Sequence, residues 1–163
     1  MLFLTFAKKY RMDLKEILSI SGKPGLYKNV AQSKTGVIVE SLNDGKRFQV
    51  FASDKISALG EISIYTSGED MQLREVFRLM RANLAETPAP GSKSTDKELV
   101  NFFESIVPDY DKERFYVSHM RKVTAWYNVL IEKGITDFSE PVEEEVANTQ
   151  ESPGETPSEE TSK

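Results

Sequence analysis

The stretch that most constrains this chain is Gly36–Phe51, Gly-Val-Ile-Val-Glu-Ser-Leu-Asn-Asp-Gly-Lys-Arg-Phe-Gln-Val-Phe. Asp44-Gly45 divides two runs rich in β-branched and aromatic residues. A two-residue type I′ loop needs positive φ at both positions, and Asp-Gly tolerates it, so the pattern predicts a β-hairpin. Pairing outward from that loop sets Ser41 opposite Phe48, Val39 opposite Val50 and Val37 opposite Ala52. Strand side chains alternate, so Val37, Val39, Phe48 and Val50 share one face, and Glu40, Arg47 and Gln49 lie towards the other. A lone hairpin is marginal in water, and neighbouring segments must cover the apolar face.

The segments before and after the hairpin supply that cover. Asp13–Ser19 reads as a short helix, with Asp13 in its first turn and Leu14, Ile17 and Leu18 on one face. Ser21-Gly22-Lys23-Pro24-Gly25 stops it. This glycine-rich segment lacks the spacing of a phosphate-binding loop and the Ser or Thr after its lysine, so it reads as a turn. Leu26–Ala31 reads as a strand, Asp54–Ala58 as one helical turn, and Glu61–Thr66 as a strand with Ile62 and Ile64 on one face. Four short strands with tight turns after a small helix predict a compact SH3-like β-barrel.

From Ser67 the period changes to that of helices. Met71–Leu84 carries Leu73, Val76, Phe77, Met80 and Leu84 on one stripe, with Asp70 as the expected cap. Thr87–Ser94 is a Pro/Gly connector. Thr95-Asp-Lys-Glu98 has capping-box spacing and opens a second helix to Ile106, with Leu99, Phe102, Phe103 and Ile106 on its apolar face. Asp109–Tyr116 reads as a polar turn. Ser118 is the expected cap of a third helix, His119–Lys133, closed by Gly134, with Met120, Val123, Tyr127, Leu130 and Ile131 facing inward and Trp126 beside them.

Charge divides the 163 residues unevenly. Glu140–Lys163 holds eight Glu and one Lys, a balance of −7, whereas Met12–Ser139 holds 17 basic and 18 acidic residues. The body is close to neutral, which argues against the strongly basic footprint of a nucleic-acid-binding domain. Phe138–Lys163 is rich in Glu, Pro, Ser and Thr and is expected to be disordered, because it buries too little apolar surface to offset its ordering entropy. Met1–Arg11 begins with a brief apolar run and then turns basic, too short for a membrane span and in the wrong order for a secretory signal. It reads as a disordered extension. The expected division is therefore an extension over 1–11, the β domain over 12–67, a helical domain over 68–137 and an acidic tail over 138–163.

Several chemistries find no support in these residues. With no cysteine, thiolate catalysis, zinc–thiolate sites and disulfides are excluded. Asp109-x-Asp111-x-Glu113 faintly suggests a calcium loop, but the expected sixth-position glycine is Arg114 and the expected twelfth-position glutamate is Met120. The gap between the second and third helices is too long for a helix-turn-helix. His119 is the only histidine, and no nucleophile or paired carboxylate stands out around it. Trp126 and Tyr127 read as core residues of a periodic helix.

Met12-Asp-Leu-Lys-Glu-Ile-Leu-Ser-Ile-Ser-Gly-Lys-Pro-Gly-Leu-Tyr-Lys28, Ile38–Leu42 and Lys46–Phe48 resemble a family of short bacterial proteins built on a domain of unknown function. Val107–Asp111, Tyr116–Ser118 and Trp126–Asn128 are similar to that family's helical half, so the resemblance spans about Met12–Gly134. It implies a cytoplasmic protein and carries over no activity and no functional residues.

The sequence therefore predicts an α+β protein: an SH3-like barrel, a three-helix unit and an acidic tail. The leading functional expectation is a non-catalytic binding or adaptor protein that needs no cofactor or metal and acts on another protein, away from membranes. The candidate surface comprises Lys23, Tyr27, Lys28, Lys46, Arg47 and Tyr65. The alternative is an RNA- or DNA-binding accessory protein, which requires Lys23, Lys28, Lys46 and Arg47 to gather beside Tyr27 on one face.

Overall fold

Apolar residues on both sides of one short strand give this protein its two cores. A computed structural model describes residues 12–139, and the expected N-terminal extension and nearly all of the acidic tail lie outside them. Leu14–Glu16 forms a single 3-10 turn, with the Asp13 carboxylate accepting the Lys15 N–H at 3.1 Å. The chain then extends as β1, Ile17–Ile20. The helix expected over Asp13–Ser19 is thus confined to its first turn. Ile17, Leu18 and Ile20 are all buried, and a strand covered on both faces gives a continuous apolar run that periodicity alone does not distinguish from a helix.

Four further strands complete an antiparallel sheet: β2 (Tyr27–Ser33), β3 (Gly36–Ser41), β4 (Arg47–Phe51) and β5 (Ile56–Ala58), in the order β4-β3-β2-β1-β5. Residues 56–58, expected as a helical turn, pair with β1 instead, Ile56 opposite Ile20 and Ala58 opposite Leu18. The hairpin forms, but in a different register: Val39 lies opposite Phe48, Val37 opposite Val50 and Gly36 opposite Phe51. Its loop is Leu42–Gly45, closed by the Ser41 N–H on the Lys46 carbonyl at 2.9 Å. Only Gly45 takes positive φ, +71°, so the type I′ geometry is not adopted. The longer loop turns Leu42 onto the larger core, and its N–H donates to the Leu26 carbonyl. A shift of two residues preserves alternation. Val37, Val39, Phe48 and Val50 still share a face, and Glu40 still meets Arg47 on the other, at 2.6 Å.

β4 and β5 are joined by only four residues, yet they lie at opposite edges of the sheet. Four interstrand spacings span about 19 Å in a flat sheet. The link must also recover the offset between the far end of β2 and the start of β5, while five residue steps reach at most about 18 Å. The sheet must therefore curl strongly. The register break between Asn29 and Ala31 bends β2 in support of this. The strand pairing does not join β4 to β5, so the sheet is not closed into the barrel expected from sequence.

The curl encloses a small core made wholly by strands: Leu18, Ile20, Tyr27, Val39 and Val50, with Val37, Phe48, Ile56 and Ala58 around them. The other face, through Ile17, joins a larger core that runs into the helices. A two-stranded ribbon follows, β6 (Ser63–Ile64) with β7 (Met71–Gln72), then α1 (Leu73–Leu84), α2 (Asp96–Ile106) and α3 (Val117–Glu132). The strand expected over Glu61–Thr66 is confined to β6. α1 begins after Gln72 rather than Asp70, because Met71 and Gln72 pair with β6. The capping box of α2 forms as expected, Thr95 with Glu98. α3 begins two residues early, and Gly134 closes it at φ +76°. Phe77, Phe103, Met120, Tyr127 and Leu130 are fully buried where the three stripes meet. No described helix is long and apolar enough to cross a membrane.

Arg74 of α1 ties both ends of this body together, donating to Asp13 Oδ1 and to the Ser139 carbonyl, each at 2.8 Å. Partial burial raises the Asp13 pKa, but the Lys15 N–H and the Arg74 guanidinium outweigh it and hold the carboxyl below its ordinary value. A depressed carboxylate pKa stabilises the fold above the unfolded value and loses that contribution as pH falls through the folded one. Asp13→Asn is therefore expected to cost about 1 kcal/mol at pH 7, discounted for partial exposure, and progressively less below about pH 4 in urea unfolding. Gly36→Ala addresses the hairpin. A Cβ there would meet the Val50 carbonyl oxygen and stand 2.9 Å from Phe51 Cα, so a loss of about 1–3 kcal/mol is expected in thermal unfolding followed by circular dichroism.

Candidate functional site

The β1–β2 turn and α3 face each other across a cleft of about 510 Å³. One wall is Ser19–Gly25. The other is a stripe of α3 beside its buried one: Arg121, Lys122, Ala125, Trp126 and Val129, with Asn43 closing an end. The turn needs glycine at two corners, φ +79° at Gly22 and +87° at Gly25. At Gly25 a Cβ would also stand 3.0 Å from the Asn43 amide nitrogen. Tyr27 braces the turn from below, its hydroxyl donating to the Pro24 carbonyl at 2.8 Å. Burial, with the Asp44 charge adding to it, raises the Tyr27 pKa and keeps the hydroxyl a donor.

Lys23, Arg121 and Lys122 line the cleft, and none of the described acidic residues does. Arg121 is held by Asp96 at 2.6 Å and by the Ser92 carbonyl at 3.3 Å. Lys23 stands 4.8 Å over the Phe48 ring, which ties the turn to the sheet core by a cation–π contact. Lys122 has no acidic partner among the described residues. It also lines, with Trp126, a second cleft of about 230 Å³ formed by Ile62–Tyr65, Phe115, His119 and Val123. Trp126 is thus the ridge between a basic cleft and an apolar one.

His119 serves α3 structurally: its Nδ1 accepts the Tyr116 N–H at 3.2 Å, and its ring lies along Phe115. The acidic connector is likewise engaged, with Asp111 accepting the Glu113 N–H and pairing with Arg114 at 2.7 Å. Among the described residues no group of three or more His, Cys, Asp or Glu could hold a metal ion.

The six sequence-chosen residues do not form one surface. Tyr27 is buried in the strand core, edge-on to Phe48 at 5.4 Å. Lys28 follows it in β2 and so lies towards the opposite face, where its strand neighbours Ile17 and Glu40 stand. Arg47 is paired to Glu40, and Lys46 is exposed beside Asp44 at 3.9 Å. Tyr65 lies apart, in the smaller cleft, under the Arg114 guanidinium at 4.4 Å. Only Lys23 reaches the larger cleft. Sequence reasoning passed over Arg121, Lys122, Ala125 and Val129 and read Trp126 as core. Their helical spacing marks a second stripe on α3, which a search for one apolar face overlooks.

Comparison with known proteins places the chain. Two family models match in tandem: a domain of unknown function, DUF5606, over residues 14–59, and another, DUF6852, over residues 62–130. A protein from Bacteroides vulgatus, a structural-genomics target solved in solution by NMR, is similar at 38% identity with a TM-score of 0.65. The match covers 77% of this chain and 91% of that one. The chain belongs to this family of bacterial proteins of unknown function. No curated protein matches it. The boundary between the family's two models falls at Gly60–Glu61, where the sheet gives way to the ribbon and helices.

If Tyr27 braces the cleft wall, Tyr27→Phe should lower stability by about 0.5–1.5 kcal/mol in urea unfolding, the worth of one hydrogen bond. NMR shifts should change at Gly22–Gly25 and leave α2 unmoved.

Proposed function

We propose that this protein is a non-catalytic binding or adaptor protein whose docking site is the Trp126 cleft, and that its curled sheet acts as an incompletely closed SH3-like barrel carrying one wall. The reading rests on one observation: a cleft with apolar walls at Ile20, Pro24, Trp126 and Val129 is lined by Lys23, Lys122 and the Asp96-paired Arg121, and by no carboxylate of the described residues. The chemistry complementary to it is a protein segment that combines aliphatic anchors with carboxylates. Apolar burial supplies affinity, and the charges supply orientation and rate.

A phosphate polymer fits less well. The body carries 17 basic and 18 acidic residues, and Lys28 and Arg47 lie towards the sheet face opposite Tyr27. The near-neutral balance supplies little long-range attraction, and the described residues form no continuous basic track.

Trp126 is the only tryptophan, so its emission reports the site directly. An acidic peptide of alternating Glu and Leu should shift Trp126 emission with a Kd of about 10–100 µM, and Lys122→Glu should weaken it by about tenfold, the worth of 1.4 kcal/mol. Oligothymidylate should bind more weakly than the peptide. Tighter oligothymidylate binding that falls steeply with salt would instead favour a nucleic-acid ligand.

A further inference from the structure

The described chain ends between α1 and α3, the helix that carries the cleft. The Phe138 ring lies 5.4 Å from that of Phe77 and 6.1 Å from that of Tyr127, and the Ser139 carbonyl accepts from Arg74. Tyr127 follows Trp126 on α3 but faces the core, so the tail must pass around the helix to reach the cleft. Beyond Ser139 the sequence reads Glu-Pro-Val-Glu-Glu-Glu-Val-Ala, with Glu143, Glu144 and Glu145 between Val142 and Val146. This is the chemistry that the cleft complements: carboxylates for Lys122 and Lys23 beside the Asp96-paired Arg121, and aliphatic side chains for the walls around Trp126.

Reach is sufficient. Passing halfway around a helix about 10–12 Å across takes about 16–19 Å, and the eight residues 140–147, if extended, would span about 26–29 Å, so their second half reaches the cleft. A segment tethered so closely has a local concentration of about a millimolar or more, so even weak attraction keeps the cleft occupied.

We propose that residues 140–147 of this chain occupy the Trp126 cleft when no partner is bound, and that a partner's acidic segment displaces them. The inference rests on the proposed reading of the cleft and adds its regulation: the tail sets the affinity threshold that a partner must exceed. The tail carries a charge of −7, and the cleft is lined by three cations. The contact weakens as salt screens it.

Acrylamide quenching of Trp126 in the full-length chain tests this, because the quencher is neutral and the tryptophan is unique. Two chains are compared, the unaltered one and the triple variant Glu143→Gln, Glu144→Gln, Glu145→Gln, whose substitutions leave the described core untouched. The unaltered chain should be quenched weakly at low salt and about twofold more strongly near 0.5 M salt. The variant should be quenched strongly at both. Equal quenching of the two chains with no salt response would overturn the inference.

The Glu/Leu peptide added in trans separates this failure from that of the parent reading. If both ideas hold, the peptide binds the variant several-fold tighter than the unaltered chain. Equal binding to both rejects the tail and leaves the cleft reading in place. Binding to neither rejects both.

Discussion

The four-residue link between β4 and β5 governs this structure. It joins the two edges of a five-stranded sheet that, if flat, would hold them too far apart. Curling is therefore compulsory, and it divides the apolar residues in two. Side chains on the inner face, Val39 and Val50 among them, are sealed by the sheet itself, while those on the outer face require the helices. β1 is common to both clusters, giving Ile17 to one and Leu18 and Ile20 to the other. The continuation of β1 beyond Ile20 is the turn that walls the cleft, so the candidate site is a consequence of how the sheet curls over its own core.

The hairpin shows what alternation does and does not specify. Which residues share a face was legible, because a shift of two residues leaves side-chain parity intact. Register was not, because it depends on how many loop residues take positive φ, and only Gly45 does. The helices were read more securely. Thr95 and Glu98 cap α2, and Gly134 ends α3, because these signals are local and need no tertiary partner. β1 and β5 were missed for the opposite reason. β1 is buried on both faces, and β5 is three residues long and defined by its pairing with β1, conditions that only the assembled sheet creates.

The candidate site was less legible than the fold. Its walls are the residues around 22 and those around 126, about a hundred positions apart in sequence. Lysines and tyrosines near the hairpin were the natural candidates. Their partners Glu40, Asp44 and Phe48 instead engage them in holding the sheet. Trp126 presents the converse case. It continues a periodic helix and touches the core, yet it is only half-buried and separates two clefts. A tryptophan beside two cations on the second stripe of a helix is an amphipathic surface, and amphipathic aromatic residues are enriched where proteins meet.

The most direct test of the cleft as the functional surface is amide chemical-shift mapping of the full-length protein during titration with the acidic Glu/Leu peptide. Saturable shifts concentrated at Gly22–Gly25 and along Arg121–Val129, with the Lys46–Arg47 loop unmoved, are the predicted result. Shifts centred on Lys46 and Arg47, or none at millimolar peptide, would contradict the account.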